Sequence, residues 1–273
     1  MSNSTPTNST PSNYSTLIQG SPARFRINHF LSKAGICSRR GADRLVRQGR
    51  VKVNAQVAYL GQKVSLQDRI TVDGQALLLK PVNHYFFRLY HKPRGIVTTQ
   101  NPIVEDNFLS ALKAYPSEHK WDEWPEHFFA VGRLDKASEG ALLLTNHGDL
   151  CNFLLQQDSV SKQYLVQVTP KITHEFLRQM ASGVKILGET TQPCVVFRLA
   201  DNLLQIELKQ GLNRQIRRMC QALGYRVERL TRVTFAGVTL DGLMAGQSRA
   251  LSENEVLQLL GRFSVSHEIS KGY

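Results

Sequence analysis

Residues 131–146 read VGRLDKASEGALLLTN. Two glycines, Gly132 and Gly140, bracket a short polar segment, and the apolar run Ala141–Leu144 follows directly. A short apolar run bounded by turn residues predicts a buried strand with a tight loop ahead of it. Asp135 sits in that loop, two residues after Arg133. On the residues alone, the commoner use of such a carboxylate is a surface ion pair with Arg133. An ionised aspartate held on a turn can also act as a nucleophile at a sugar carbon or as a general base. Both uses stay open at this point.

Outward from this strand the pattern alternates between periods. KQYLVQVT (162–169) sets Tyr164, Val166 and Val168 against Leu165 and Gln167, as a strand does. THEFLRQMASG has helical spacing, and Phe197–Leu199 with Leu203–Leu208 predict a hairpin around ADN. NRQIRRMCQALG predicts a helix with Asn213 as N-cap, Ile216, Met219, Cys220 and Leu223 as its core stripe, and Gly224 as its stop. YFFRLYHKPRGIVTT reads as a strand that turns at Pro93–Gly95, leaving Lys92 and Arg94 available to phosphates. No regular βαβ beat appears, so the expected class is α+β with a mainly antiparallel sheet flanked by helices. Residues 113–127, carrying Trp121 and Trp124, read as a surface insertion.

The 273 residues carry a net charge of +12, unevenly spread. Between Arg24 and Arg69 eleven Lys/Arg face two acids, Asp43 and Asp68, a net of +9. A polyanion is the expected partner of such a stretch, nucleic acid above all. Within it, RFRINHFLSKA (24–34) predicts one helix stopped by Gly35. A second runs from an N-cap at Ser38 to Gly49. Ala42, Leu45 and Val46 face inward on that second helix, so Arg40, Arg44 and Arg47 form a basic ridge. VKVN and RITVDG predict strands, with turns at NAQ and DGQ.

Other classes find no support in the motifs. Neither a GxxxxGK[ST] loop, nor GxGxxG, nor HExxH, nor a CxxC pair is present. The four cysteines lie far apart, which suits reduced thiols. No apolar run is long enough for a membrane helix. The Ser/Thr/Asn-rich start lacks a signal-peptide pattern, and residues 1–22 are expected to be a disordered leader.

The arginines of KQGLNRQIRRMCQALGYRVERLTR (209–232) include Arg214, Arg217 and Arg218 at a helix start, a good place to meet a phosphate. Arg217 lies beside Ile216 on the core side and so needs a carboxylate partner. Tyr164 is either a core tyrosine or a platform for an unpaired base. These features equally suit a noncatalytic RNA-binding assembly factor.

RINHFLSKAGICSRRGADRLVRQGRVKVNAQVAYLGQKVS (26–65) resembles the S4 RNA-binding module. HKPRGIVTT, AVGRLDKASEGALLLTNHGDL, KQYLV and GLNRQIRRMC then follow in the order found in the RsuA/RluF branch of the pseudouridine synthases. GICSRRGADRLVRQG and VGRLDKASEG are most similar to the RluF subgroup, which acts on 23S ribosomal RNA. The resemblance implies an S4 module (23–80) and a pseudouridine-synthase domain (81–262), followed by a tail (263–273), while the leader (1–22) is a departure from the family core. It makes Asp135 the catalytic residue, Tyr164 the active-site tyrosine and Arg217 the partner of Asp135. It also puts Ile216 beside the uracil and Arg133 where a nucleotide is flipped. Arg39, Arg40, Arg44, Arg47, Lys92, Arg214 and Arg218 are expected to contact RNA.

The chemistry so implied isomerises a uridine to pseudouridine without metal or cofactor, in a cytoplasmic monomer with no membrane partner. The RNA is expected to be 23S ribosomal RNA, with a transfer-RNA anticodon stem-loop or 16S ribosomal RNA as the alternative. The chain ends at SHEISKGY, without the long basic tail such enzymes can carry, so weaker nonspecific RNA affinity is expected.

Overall fold

The computed structural model describes residues 25–34, 36–37, 39–65, 67–77, 85–115, 124–125, 127–156 and 160–269. The leader, Gly35, Ser38, Trp121 and most of the stretch joining the two halves lie outside these. The chain divides between residues 83 and 84 into two compact units.

The first unit runs β1 (Phe25–Arg26), α1 (Ile27–Lys33), α2 (Arg39–Arg47), β2 (Val51–Val53), β3 (Gln56–Val57), β4 (Lys63–Val64), β5 (Ile70–Val72) and β6 (Gln75–Ala76). A four-stranded antiparallel sheet has the order β3-β2-β5-β6, and β1 pairs separately with β4. The helix expected from residue 24 begins only at Ile27, because Phe25 and Arg26 are taken up in the ladder with Val64 and Lys63. Its core joins Ile27, Phe30, Leu31, Ala42 and Val46 to Val51, Val53, Val64 and Ile70. Burying Ala42 and Val46 turns the opposite side of α2 to water, and Arg39, Arg40, Arg44 and Arg47 are all exposed there.

The second unit is built on β7 (Phe87–Lys92), α3 (Phe108–Ala114), β8 (Phe129–Ala130), β9 (Glu139–Thr145), α4 (Gly148–Gln156) and β10 (Lys162–Thr169). It continues with α5 (His174–Ser182), β11 (Lys185–Ile186), β12 (Glu189–Thr190), β13 (Val195–Ala200), β14 (Leu203–Leu208) and α6 (Gln215–Ala222). β15 (Arg226–Phe235), β16 (Val238–Thr239), β17 (Ser248–Ala250) and α7 (Glu253–Ile269) complete it. Its main sheet has the order β13-β14-β10-β15-β9-β7-β17, with β16 on β15 and β8 on β9. Every pairing is antiparallel except β15 with β9.

That exception places the site. β9 is buried along its whole length, as expected of the run after the aspartate loop. It lies between β7 and β15, so the loop before it opens beside the middle of β15. One core packs α5 and α6 against β10 and β14, through Phe176, Met180, Ile216, Met219, Cys220, Val166 and Leu204. A second joins Tyr90, Phe108, Leu112, Trp124 and Phe128 to Leu134, Leu142 and Leu144.

The segment read as an insertion therefore differs at both ends. Lys113 and Ala114 close α3, and Trp124 is a core residue packed on Phe86 and Phe128. α7 continues to Ile269, through most of the segment read as a tail. Among the described residues no helix is long and apolar enough to cross a membrane.

Candidate active site

The Asp135 loop is held from three directions. From its own strand, Val131 N–H donates to Leu143 O at 2.7 Å. From the turn after β7, Gly95 N–H donates to Lys136 O at 2.7 Å, and Thr98 Oγ1 donates to Leu134 O at 2.7 Å. From α6, Arg217 Nη2 donates to Ala137 O at 2.8 Å and lies 3.4 Å from Ser138 Oγ. Leu134 is buried while the side chain of Asp135 is 39% exposed, so the loop anchors on its leucine and presents its carboxylate.

Among the described residues the cation paired with that carboxylate is Arg214, whose Nη1 lies 3.9 Å from Oδ2. The expected partner, Arg217, makes no ion pair with it. Its Nη1 donates instead to Val227 O at 3.3 Å, and its Nε is buried without a partner. Burial pulls the Arg217 guanidinium below its usual range, Arg214 adds to this, and Asp135 opposes it. Arg217 thus feels the carboxylate through space while its hydrogen bonds hold the loop backbone.

The start of α6 explains the exchange. Its N-cap is Arg214, in a left-handed conformation (φ 50°), and not Asn213. Asn213 Oδ1 accepts from Arg218 Nη2 at 3.1 Å, and its carbonyl accepts from Arg218 Nε at 3.0 Å. Arg218 is therefore folded back on the turn. Ile216, expected beside a uracil, is buried in the core with Met219 and Cys220. Arg133 is exposed.

Lys92, expected to reach phosphates, is fully buried. Its Nζ donates to Pro93 O at 2.8 Å and Ile96 O at 2.7 Å, fixing the turn that carries Gly95. Burial pulls this ammonium down to about 8, Glu139 and Asp135 oppose the shift, and Arg232 adds to it. Glu139, at the start of β9, accepts from Arg229 and, at 2.8 Å, from Thr231 Oγ1. Although burial opposes it, these donors hold its carboxyl below the usual range.

Tyr164 on β10 is half-buried and packs against both cores, including the one that contains Leu134. Across the strands it stands opposite Arg232, and Arg232 stands opposite Gly140. The backbone is so close there that a Cβ on Gly140 would overlap the Arg232 main chain, and Gly140 has φ +115°. In the sequence Arg232 is one of a run of arginines. Its sole signal was an alternation along RLTRVTF that turns the arginine inward.

All four cysteines are free, and burial pushes Cys220 up to about 12 and Cys151 and Cys194 up to about 11. Among the described residues no group of three or more His, Cys, Asp or Glu is arranged to hold a metal ion.

Comparison with known proteins bears on this arrangement. The family model for RNA pseudouridylate synthase matches residues 87–222, and the S4 domain model matches 25–70. A dual-specificity RNA pseudouridine synthase, RluF, of Escherichia coli K12 is 40% identical over 235 residues, 86% of this chain and 78% of that protein. Ribosomal large subunit pseudouridine synthase B of Bacillus subtilis is 32% identical over 247 residues, 86% of this chain and 95% of that protein. The crystal structure of a pseudouridylate synthase aligns with a TM-score of 0.61 at 24% identity, covering 86% of this chain and 99% of that one.

Proposed function

The chain belongs to the RNA pseudouridylate synthase family, and from that membership we propose that Asp135 is its catalytic carboxylate and Tyr164 its active-site tyrosine. It is an enzyme of the isomerase class that converts uridine to pseudouridine in RNA. The observation that carries the assignment of Asp135 is its setting. It is a presented carboxylate on a loop anchored by Leu134, Lys136 and Ala137, with Arg214 at 3.9 Å.

A uracil in a stem is out of reach of such a carboxylate until it leaves the stack, so the nucleotide is flipped outward. Exposed Arg133 and Arg214 meet the backbone around it, and Tyr164 supports the base. Asp135 then attacks ribose C1′, or removes the C2′ proton to leave a glycal; attack at uracil C6 is the third route open to it. The detached base turns and C5 bonds to C1′, releasing Asp135 from C1′ or, on the glycal route, with the proton returned from Asp135 to C2′. Any bond from Asp135 to C6 breaks again, and the C5 proton departs. Arg217 keeps the loop in place throughout.

The substrate we propose is a uridine in large-subunit (23S) ribosomal RNA. The name of the Bacillus subtilis relative supports this, as does the exposed basic ridge on α2. A second RNA, such as a transfer-RNA anticodon stem-loop, accords with the dual specificity in the name of the Escherichia coli relative. We further propose that the protein works as a monomer in the cytoplasm, where its RNA is.

The test is tritium release from ribosomal RNA labelled at uracil C5. Asp135→Asn is expected to abolish release while RNA affinity stays within about threefold. Substantial turnover by the purified variant would overturn the assignment.

A further inference from the structure

Arg232 is 3% exposed and, among the described residues, forms no ion pair. Its Nε donates to Ala141 O at 2.7 Å, its guanidinium lies 4.6 Å from the centre of the Phe235 ring, and its Nη2 has no partner. A buried cation without a carboxylate destabilises a fold, and an apolar side chain of similar volume would pack there at less cost. Lys92, a second buried cation, is close enough to feel its charge, which adds to the cost. Residues that break the packing rules in this way concentrate at functional sites.

What Arg232 faces supplies the reason. Burial weakens its hold on the proton, and the Tyr164 hydroxyl is the group that opposes this. Tyr164 lies across from it in the β10–β15 register, and Gly140, five residues after Asp135, lies across from it on the other side. The strand carrying Arg232 is therefore the only one between the strand of the tyrosine and the strand that leaves the aspartate loop.

We propose that Arg232 is a positioning residue that fixes the Tyr164 hydroxyl relative to the Asp135 loop, with one edge of its guanidinium on Ala141 O and another toward the phenol. The planar fork of arginine holds two such groups at a set angle, which a lysine ammonium on its flexible stem does not. The inference rests on the reading of Asp135 and Tyr164 given above.

The experiment is a double-mutant cycle on the full chain. Enzyme in excess acts on transcribed large-subunit ribosomal RNA labelled with tritium at uracil C5. Arg232→Lys is expected to fold, to bind the RNA within about twofold of the parent, and to lose about tenfold or more in single-turnover rate. In a Tyr164→Phe background the same substitution is expected to cost little further. Arg232→Met, where it folds, is expected to show the same pattern, and where it does not fold the lysine variant decides.

A second readout does not depend on turnover. In protein labelled with 3-fluorotyrosine, the resonance missing from Tyr164→Phe is expected to shift or broaden in Arg232→Lys. An unchanged resonance, an unchanged rate, or an equal loss in both backgrounds would overturn the inference. If Asp135→Asn is inactive and the cycle is additive, this inference alone falls. If Asp135→Asn turns over, the functional reading falls and takes this one with it.

Discussion

The carboxylate of Asp135 meets Arg214 at 3.9 Å, while Arg217, one turn further along α6, binds the carbonyl of Ala137 on the same loop at 2.8 Å. The two arginines divide a task that the sequence pattern assigns to one. Arg214 stands beside the proposed catalytic carboxylate, and Arg217 keeps the loop in place.

This division separates their variants. Arg217→Ala removes hydrogen bonds to Ala137 O and Val227 O from a half-buried site. It is expected to lower unfolding free energy by about 1–3 kcal/mol along with turnover. Arg214→Ala loses only a half-exposed contact, so its urea midpoint is expected to stay near the parent's while its turnover falls. Equal destabilisation by the two would contradict the division. A larger loss for Arg217→Ala, expected had its guanidinium been the buried partner of Asp135, has no basis with that carboxylate 39% exposed.

Lys92 makes a prediction about pH. Burial brings its ammonium from 10.5 down to about 8. From about pH 8 to 10.5 the unfolded chain holds a proton that the folded chain has released, so this group's contribution to stability rises with pH across that window. Below pH 8 its folding penalty, of order 3 kcal/mol, is fully present. The stability difference between Lys92→Met and the parent, followed by urea melts, is expected to narrow progressively from pH 8 to 10.5. A difference independent of pH would mean that the ammonium is not displaced.

Gly140→Ala is expected to fail to fold, or to lose more than about 3 kcal/mol, since its Cβ has only the Arg232 backbone to enter. Gly95→Ala also has a positive φ, but an added Cβ there meets nothing within 4 Å. It is expected to cost only about 1 kcal/mol by thermal melting. Similar melting temperatures for the two would show that the close approach of β9 and β15 is not what Gly140 serves.

Replacing Arg40, Arg44 and Arg47 together by alanine is expected to weaken RNA binding and to flatten its salt dependence by up to about 0.9 per residue on a logarithmic plot. The single-turnover rate at saturating protein is expected to hold. A fall in that rate would give the ridge a part in the reaction beyond docking.

What the sequence made legible follows from how local each signal is. The buried strand after Asp135, the exposed ridge on α2 and the helix carrying Ile216, Met219 and Cys220 are written in periods of two and 3.6 residues, and each is present in the structure. The partner of Asp135 was not legible. The backbone at Arg214 turns left-handed, and two helical residues, Gln215 and Ile216, then separate two arginines that look equivalent on paper. Lys92 was misread for a related reason, since a lysine before a proline turn looks solvated until β9 and β17 flank its strand. Arg232 was hidden because only the register between β9, β10 and β15 brings it between Gly140 and Tyr164.

The parallel pairing of β15 with β9 also sets an order in time. Asp135 and Tyr164 leave the ribosome before β15, the strand that lies between β9 and β10. At about 5–20 residues per second, several seconds pass between the emergence of Asp135 and that of Arg232. Until α6 emerges the loop has no Arg217 to grip it, and until β15 follows it has no strand to lie beside. A nascent chain displaying both residues is consequently expected to be inert toward the ribosomal RNA surrounding it until β15 has docked between their strands.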